Sequence, residues 1–164
     1  MATGPTATAA TRELLRLGIA FTMHPYEHDP VERSFGEEAA RLLGLSTDEV
    51  FKTLVVIVDN EPAIAVLPVT RLLDMKAFAT AFGGRRTDLA DPALAQRVTG
   101  YVVGGISPIG QKRPLRTIID EEAWLHDLIY VSGGRRGLDI GLAPDDLVMV
   151  TSAAIAAIAR ADSP

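Results

Sequence analysis

Two apolar runs constrain the fold most: FKTLVVIVD over Phe51–Asp59 and AIAVLPV over Ala63–Val69. The first is rich in β-branched residues and lacks polar alternation, the pattern of a central strand buried on both faces. Asn60, Glu61 and Pro62 are predicted to turn the chain into the second run, giving a strand pair. Pro68 has no amide N–H, so it is expected at a sheet edge or a bulge. Aromatic residues make up only 5% of the 164-residue chain, so Val, Ile, Leu and Ala must fill most of the core. At 48% hydrophobic, a chain of this length suits one globular domain.

Spacing and punctuation place the other elements. Residues 1–5 read as a disordered lead. Leu14, Leu15 and Leu17 sit in a short helix that Gly18 ends, and Ile19–His24 alternates as a strand. Ser34 and Glu37 have capping-box spacing and open a helix that Gly44 stops. Ser46 and Glu49 repeat that spacing before a short helical turn. Asp74 is expected to cap a helix through Phe82, and Asp91 followed by Pro92 to start another. RTIID (Arg116–Asp120), LIYVS (Leu128–Ser132) and LDIGL (Leu138–Leu142) read as strands. Thr151 or Ser152 is expected to cap an Ala-rich last helix. Strands and helices mingle without strict βαβ order, which predicts a single α+β domain, residues 1–164, on a mixed sheet.

A net charge of −5 argues against a protein that coats nucleic acid by bulk electrostatics. Seven of the sixteen Lys and Arg residues fall in three groups: Arg85–Arg86, Lys112/Arg113/Arg116 and Arg135–Arg136. They make a local anion site if the fold gathers them and separate solvated patches if it does not. The chain has no cysteine, which excludes disulfides, zinc–thiolate sites and a Cys nucleophile, and fits a cytoplasmic protein. No apolar run reaches the roughly 18 residues needed to span a bilayer. The first residues lack the basic flank and apolar core of a secretory signal.

The stretch Gly100–Asp120 concentrates candidate chemistry. It holds four glycines, two prolines and three cationic side chains. Gly104, Gly105 and Gly110 permit close backbone approach to a ligand, and Lys112, Arg113 and Arg116 suit an anionic partner. The same composition also describes a stiff surface connection. Lys52 interrupts the buried run FKTLVVIV. Either its ammonium snorkels to water or it is directed into a pocket, where it can hold phosphate or a polarised carbonyl. Ser132 lies where a strand meets a glycine turn, and Asp139, if buried, needs a partner such as a neighbouring arginine. His24 and His28 lie four apart, but Pro25 and Pro30 disfavour the helix a metal pair would use; surface or turn histidines are the better reading. GGRRTDLA (Gly83–Ala90) echoes GGRRGLDI (Gly133–Ile140), a match that the flanking residues do not continue.

Five separated segments resemble the YbaK/EbsC family of aminoacyl-tRNA deacylases, in the family's order. They are TMHPYEHDP (Thr22–Pro30), FGEE (Phe35–Glu38), VFKTL (Val50–Leu54), DPALAQRVTGYVVGGISPIGQKRPLRTIID (Asp91–Asp120) and YVSGGRRGLDIGL (Tyr130–Leu142). The resemblance implies a compact α+β domain with a mixed, barrel-like sheet flanked by helices, as in the editing domain of bacterial prolyl-tRNA synthetases. It implies hydrolysis of cysteine mischarged on tRNA(Pro), with no cofactor or metal. The substrate's own thiol would attack the ester, so no enzymic nucleophile is needed. By the matched positions, Lys52, Gly104 and Gly105 would be catalytic. Tyr26, Phe35, Thr53, Ser107, Pro108, Ser132, Gly133 and Asp139 would bind substrate. The implied partners are the acceptor end of aminoacyl-tRNA and prolyl-tRNA synthetase, not DNA or membrane. Phe51 stands where an aromatic, often Tyr, is usual, and Ser34 where close relatives often carry Asn, which leaves substrate preference open; another family specificity, such as Ala-tRNA(Pro), is the rival within the class. A non-catalytic aminoacyl-tRNA or synthetase-binding module and a small-nucleotide binder are the rival classes.

Overall fold

The computed structural model describes residues 6–162; the lead predicted over residues 1–5 lies outside them. In chain order the elements are α1 (Ala9–Leu17), β1 (Thr22–Pro25), α2 (Phe35–Leu43), β2 (Phe51–Val58), β3 (Glu61–Pro68), β4 (Arg71–Leu73), α3 (Met75–Phe82), β5 (Thr87–Leu89), α4 (Pro92–Thr99), β6 (Arg116–Asp120), β7 (Ile129–Arg135), β8 (Leu138–Leu142), α5 (Pro144–Thr151), β9 (Ala154–Ala156) and β10 (Ala159–Ala161). Three sheets form: β5-β2-β3-β6-β9, β1-β8-β7 and β10-β4. The first is mixed. β2 runs antiparallel to β3 and β5, while β3–β6 and β6–β9 are parallel.

The apolar hairpin is the spine of this α+β domain. Val58 pairs with Glu61 across Asp59 and Asn60, whose φ values of 49° and 75° make a two-residue turn that suits the strand twist. The turn thus falls earlier than expected, and Pro62 lies within β3 opposite Ile57. Pro68 is also not at a sheet edge or a bulge. It ends the central strand β3 opposite Phe51, beyond Val66, the last residue paired with β6, so its missing N–H interrupts no ladder there.

Both faces of the five-stranded sheet are buried. Val56, Val58, Leu67 and Ile118 pack against Phe78 and Phe82 of α3. On the other face Val55, Ile64, Val66 and Ile119 meet Val131, Ile140 and Leu142 of the second sheet, with Leu14, Val98 and Leu147 from α1, α4 and α5. This double cover is why β2 reads as a continuous apolar run.

Several helix signals hold. Asp74 accepts from the Ala77 N–H and Asp91 from the Leu94 N–H, while Gly18 and Gly44 close α1 and α2 in the left-handed region. Others do not. Ser34 makes no side-chain cap, and its own N–H goes to the Glu32 carboxylate, so α2 forms without the predicted capping box. The strand expected over Ile19–His24 begins only at Thr22. The Ala-rich tail is not a helix: α5 precedes it, Ser152 ends α5 with φ 56°, and the tail forms β9 and β10. Pairing with β6 and β4, with Ile158 fully buried, outweighs the helix propensity of alanine.

Candidate active site

The outer edge of β2 is covered in two pieces. β5 pairs with Val56–Val58, and a bridge between Val50 and Tyr130 brings β7 to the strand's start. Residues 52–54 lie in the gap between them. The Ala90 N–H donates to the Val55 C=O at 3.0 Å. By the alternation of an antiparallel strand, Thr53 directs its main-chain groups to the same open edge. A cavity of about 440 Å³ opens in this gap.

Seven of the predicted site residues line the cavity: Tyr26, Phe35, Lys52, Thr53, Gly104, Ser132 and Asp139. They come from β2, the segment leading into α2, the glycine loop and the β7–β8 pair. Ser132 and Asp139 face each other across β7 and β8, so one register brings both to the site. Phe35 opens α2 and lies against Gly104, whose φ is 89°; a Cβ there would stand 2.7 Å from the Phe35 ring. The Tyr26 N–H is held by the Gly137 C=O at 2.9 Å.

The charge environment is specific. Lys52 is half-buried and its Nζ donates to the Arg71 C=O at 2.6 Å. Burial lowers its pKa, and the carboxylates of Asp162 and Glu37 oppose that shift. Asp139 is 6% exposed, and desolvation alone pushes its carboxyl up to about 7. Tyr26 is pushed up to about 12, first by burial and then by the Asp139 charge, so its phenol stays protonated. The Thr53 hydroxyl is buried without a hydrogen-bond partner, a group left for a ligand. The Ser132 hydroxyl accepts from the Gly134 N–H at 3.2 Å, and no histidine lines the cavity among the described residues.

The other four predicted residues lie outside the lining. Gly105 already donates its N–H to the Val102 C=O, and a Cβ there would meet the Arg135 backbone at 2.7 Å. Ser107 is fully buried and accepts from the Ile109 N–H, while Pro108 lines a separate cleft beside α1. Gly133 packs on Leu138. Nor do the three basic groups make one mouth. Arg86 pairs with Asp88, Arg116 stands over the Phe82 ring at 3.7 Å, and none of the seven lines the cavity. Its cations are Lys52 and Arg33.

The two histidines separate as well. His24 bonds Thr22, whereas His28 bonds the buried Glu38 at 2.7 Å. The second Glu38 oxygen takes the Asp29 N–H, and the His28 ring lies 5.6 Å from that of Phe35. Glu38 therefore fastens the segment that carries Tyr26 and Phe35. The sequence reading missed this anchor and the place of Arg33 and Glu37 in the lining; FGEE shows two acids at the start of a helix but not that Glu38 is the buried one.

A small α+β domain with a cation, a near-neutral carboxyl and an unpaired hydroxyl at a split sheet edge defines the class of site. The chain belongs to the aminoacyl-tRNA editing domain family, whose pattern matches residues 28–150. It is 37% identical over 123 residues to "Putative Cys-tRNA(Pro)/Cys-tRNA(Cys) deacylase EbsC" of Enterococcus faecalis, covering 74% of this chain and 75% of that one. A proline–tRNA ligase of Maridesulfovibrio salexigens is 29% identical over 101 residues, 62% of this chain but 17% of the ligase. The solved "putative trans-editing enzyme for prolyl tRNA synthetase" has the same fold, with a TM-score of 0.84 at 22% identity over 97% of this chain and 99% of that one. Among the described residues no helix is long and apolar enough to cross a membrane.

Proposed function

We propose that this protein is a cytoplasmic deacylase that acts in trans on Cys-tRNA(Pro). The observation that carries the reading is a cavity furnished to bind and polarise an ester, in which the Ser132 hydroxyl is hydrogen-bonded to the Gly134 N–H rather than to a base and no histidine is among the described lining residues. Such a site suits a substrate that brings its own nucleophile. The cysteine thiol attacks its own ester carbonyl carbon; a C–S bond forms and the C–O bond to the terminal ribose breaks. Asp139, poised near neutrality, takes the thiol proton and returns it to the leaving ribose oxygen. The product is free tRNA and a cyclic thiolactone, which water opens.

Lys52 holds the terminal adenosine or its phosphate. The Gly104 N–H is the candidate oxyanion donor, and the Gly105 N–H, already engaged, is not. Tyr26 and Phe35 close the pocket around a small side chain. Size alone separates cysteine from proline poorly in an apolar pocket, which is why a second hydrolytic site is needed. The family relation to proline–tRNA ligases supports a synthetase partner that supplies tRNA selectivity.

The test is a deacylation time course on Cys-tRNA(Pro), beside Ala-tRNA(Pro) and Pro-tRNA(Pro). Loss of cysteine alone supports the thiol-assisted reading. Loss of alanine instead keeps a deacylase but rejects the thiol step. Tight tRNA binding without cleavage, even with prolyl-tRNA synthetase present, replaces the enzyme with a binding module.

A further inference from the structure

The carbonyl that holds Lys52 belongs to β4, and the ladder partner of β4 is the C-terminal strand β10. Arg71 pairs with Ala161, Leu72 with Arg160 and Leu73 with Ala159. The Asp74 N–H donates to the Ile158 C=O at 2.7 Å. Alternation then turns Leu72 and Asp74 toward β10 and the Arg71 C=O away from it, onto Lys52 Nζ at 2.6 Å. β10 is fastened in turn by Asp120, which is 1% exposed. One Asp120 oxygen accepts the Ile158 and Ala159 N–H groups at 2.9 and 3.0 Å, and the other accepts the Glu122 N–H at 3.1 Å. The Arg71 guanidinium meets Glu122 at 3.2 Å, so β4 is held at its side chain as well.

We propose that β10 is a positioning element of the active site: through its ladder with β4 it holds the Arg71 carbonyl against the Lys52 ammonium. The placement of Lys52 by β10 is independent of the reaction; the catalytic consequence rests on the deacylase reading. The charged groups that face Lys52 are Asp162, from the end of β10, and Glu37, from α2; Arg33 lines the same cavity. Both carboxylates favour the ammonium, against the burial that disfavours it. Removing the Asp162 charge therefore lowers the pH at which Lys52 deprotonates. Asp162 is exposed and lies beyond the ladder, so its substitution leaves the core intact.

The test is an NMR titration of the lysine side chains in the full-length protein. The chain has only Lys52, Lys76 and Lys112, so single substitutions assign the signals. Asp162→Asn is expected to move the Lys52 titration to lower pH, and Asp162→Glu to leave it in place. The alkaline limb of kcat on Cys-tRNA(Pro) should move with it. Arg160→Pro removes the N–H that Leu72 uses in the ladder. It is expected to lose the hydrogen-bonded ammonium signal of Lys52 and to lower kcat about tenfold or more, with a smaller effect on KM. A Lys52 ammonium signal and a kcat both unchanged in Arg160→Pro, or in Asp120→Ala should Arg160→Pro not fold, overturn the proposal. Loss of that signal from a protein whose wild-type form deacylates no aminoacyl-tRNA keeps the role of β10 and rejects the proposed function.

Discussion

Asp139 is the most perturbed carboxyl with a direct bearing on stability. Its folded value of about 7 lies above the ~3.9 of an unfolded aspartate. As pH rises the unfolded chain ionises first, so this group favours the folded state fully below about pH 4 and progressively less up to about pH 7. Asp139→Asn should flatten that decline and raise stability at pH 8 by roughly 1–3 kcal/mol, read from urea unfolding at pH 4, 6 and 8. A parallel decline in the variant would assign the pH dependence elsewhere. For Lys52→Ala, the expected outcome is loss of deacylation by at least about 100-fold with unchanged circular dichroism and unfolding midpoint. Full activity would remove Lys52 from the mechanism. Both residues stood out in the sequence because each is a charge inside an apolar strand. Their environments did not. The partner of Lys52 is a main-chain carbonyl, which no side-chain identity announces, and the pKa of Asp139 is raised by burial, which depends on the strands packed around it.

At the scale of elements, two fasteners can be tested. Gly104 combines a φ of 89° with a Cβ position 2.7 Å from Phe35. Gly104→Ala strains the loop and pushes Phe35 into the cavity, so kcat/KM should fall on the order of 10- to 100-fold, by analogy with other small misplacements of site groups. Equal kinetics would show that the loop moves freely. Asp120→Ala leaves the Ile158 and Ala159 N–H groups without their acceptor, at a cost of about 2–4 kcal/mol in urea unfolding. Where a local side chain does the capping, as at Asp74 and Asp91, the sequence was sufficient. It failed at Ser34, where the neighbouring Glu32 competes for the same backbone. It failed again in the Ala-rich tail, where the deciding contacts come from β4, β6 and Asp120, distant in the chain.

At the scale of the whole molecule, a net charge of −5 and dispersed arginines leave little surface for a duplex. The isolated protein should bind tRNA weakly. Its log K against log salt slope should be about −2, as expected for two or three phosphates at a single-stranded end. A slope several times steeper, measured by fluorescence titration, would require a second contact face. Added prolyl-tRNA synthetase should increase discrimination among tRNAs; an unchanged pattern would remove the synthetase from the reading. The buried hairpin and the prominence of Lys52, Ser132 and Asp139 were legible in the sequence itself, because hydrophobic runs and turn residues act locally. Tertiary structure alone decided that β2 is left uncovered between β7 and β5, that four of the predicted residues lie outside the cavity, and that the tail returns as β10 to hold Arg71 against Lys52. Those outcomes depend on which distant strands share an edge, and a strand's edge is hydrogen-bonded through a backbone that is the same for nearly every residue.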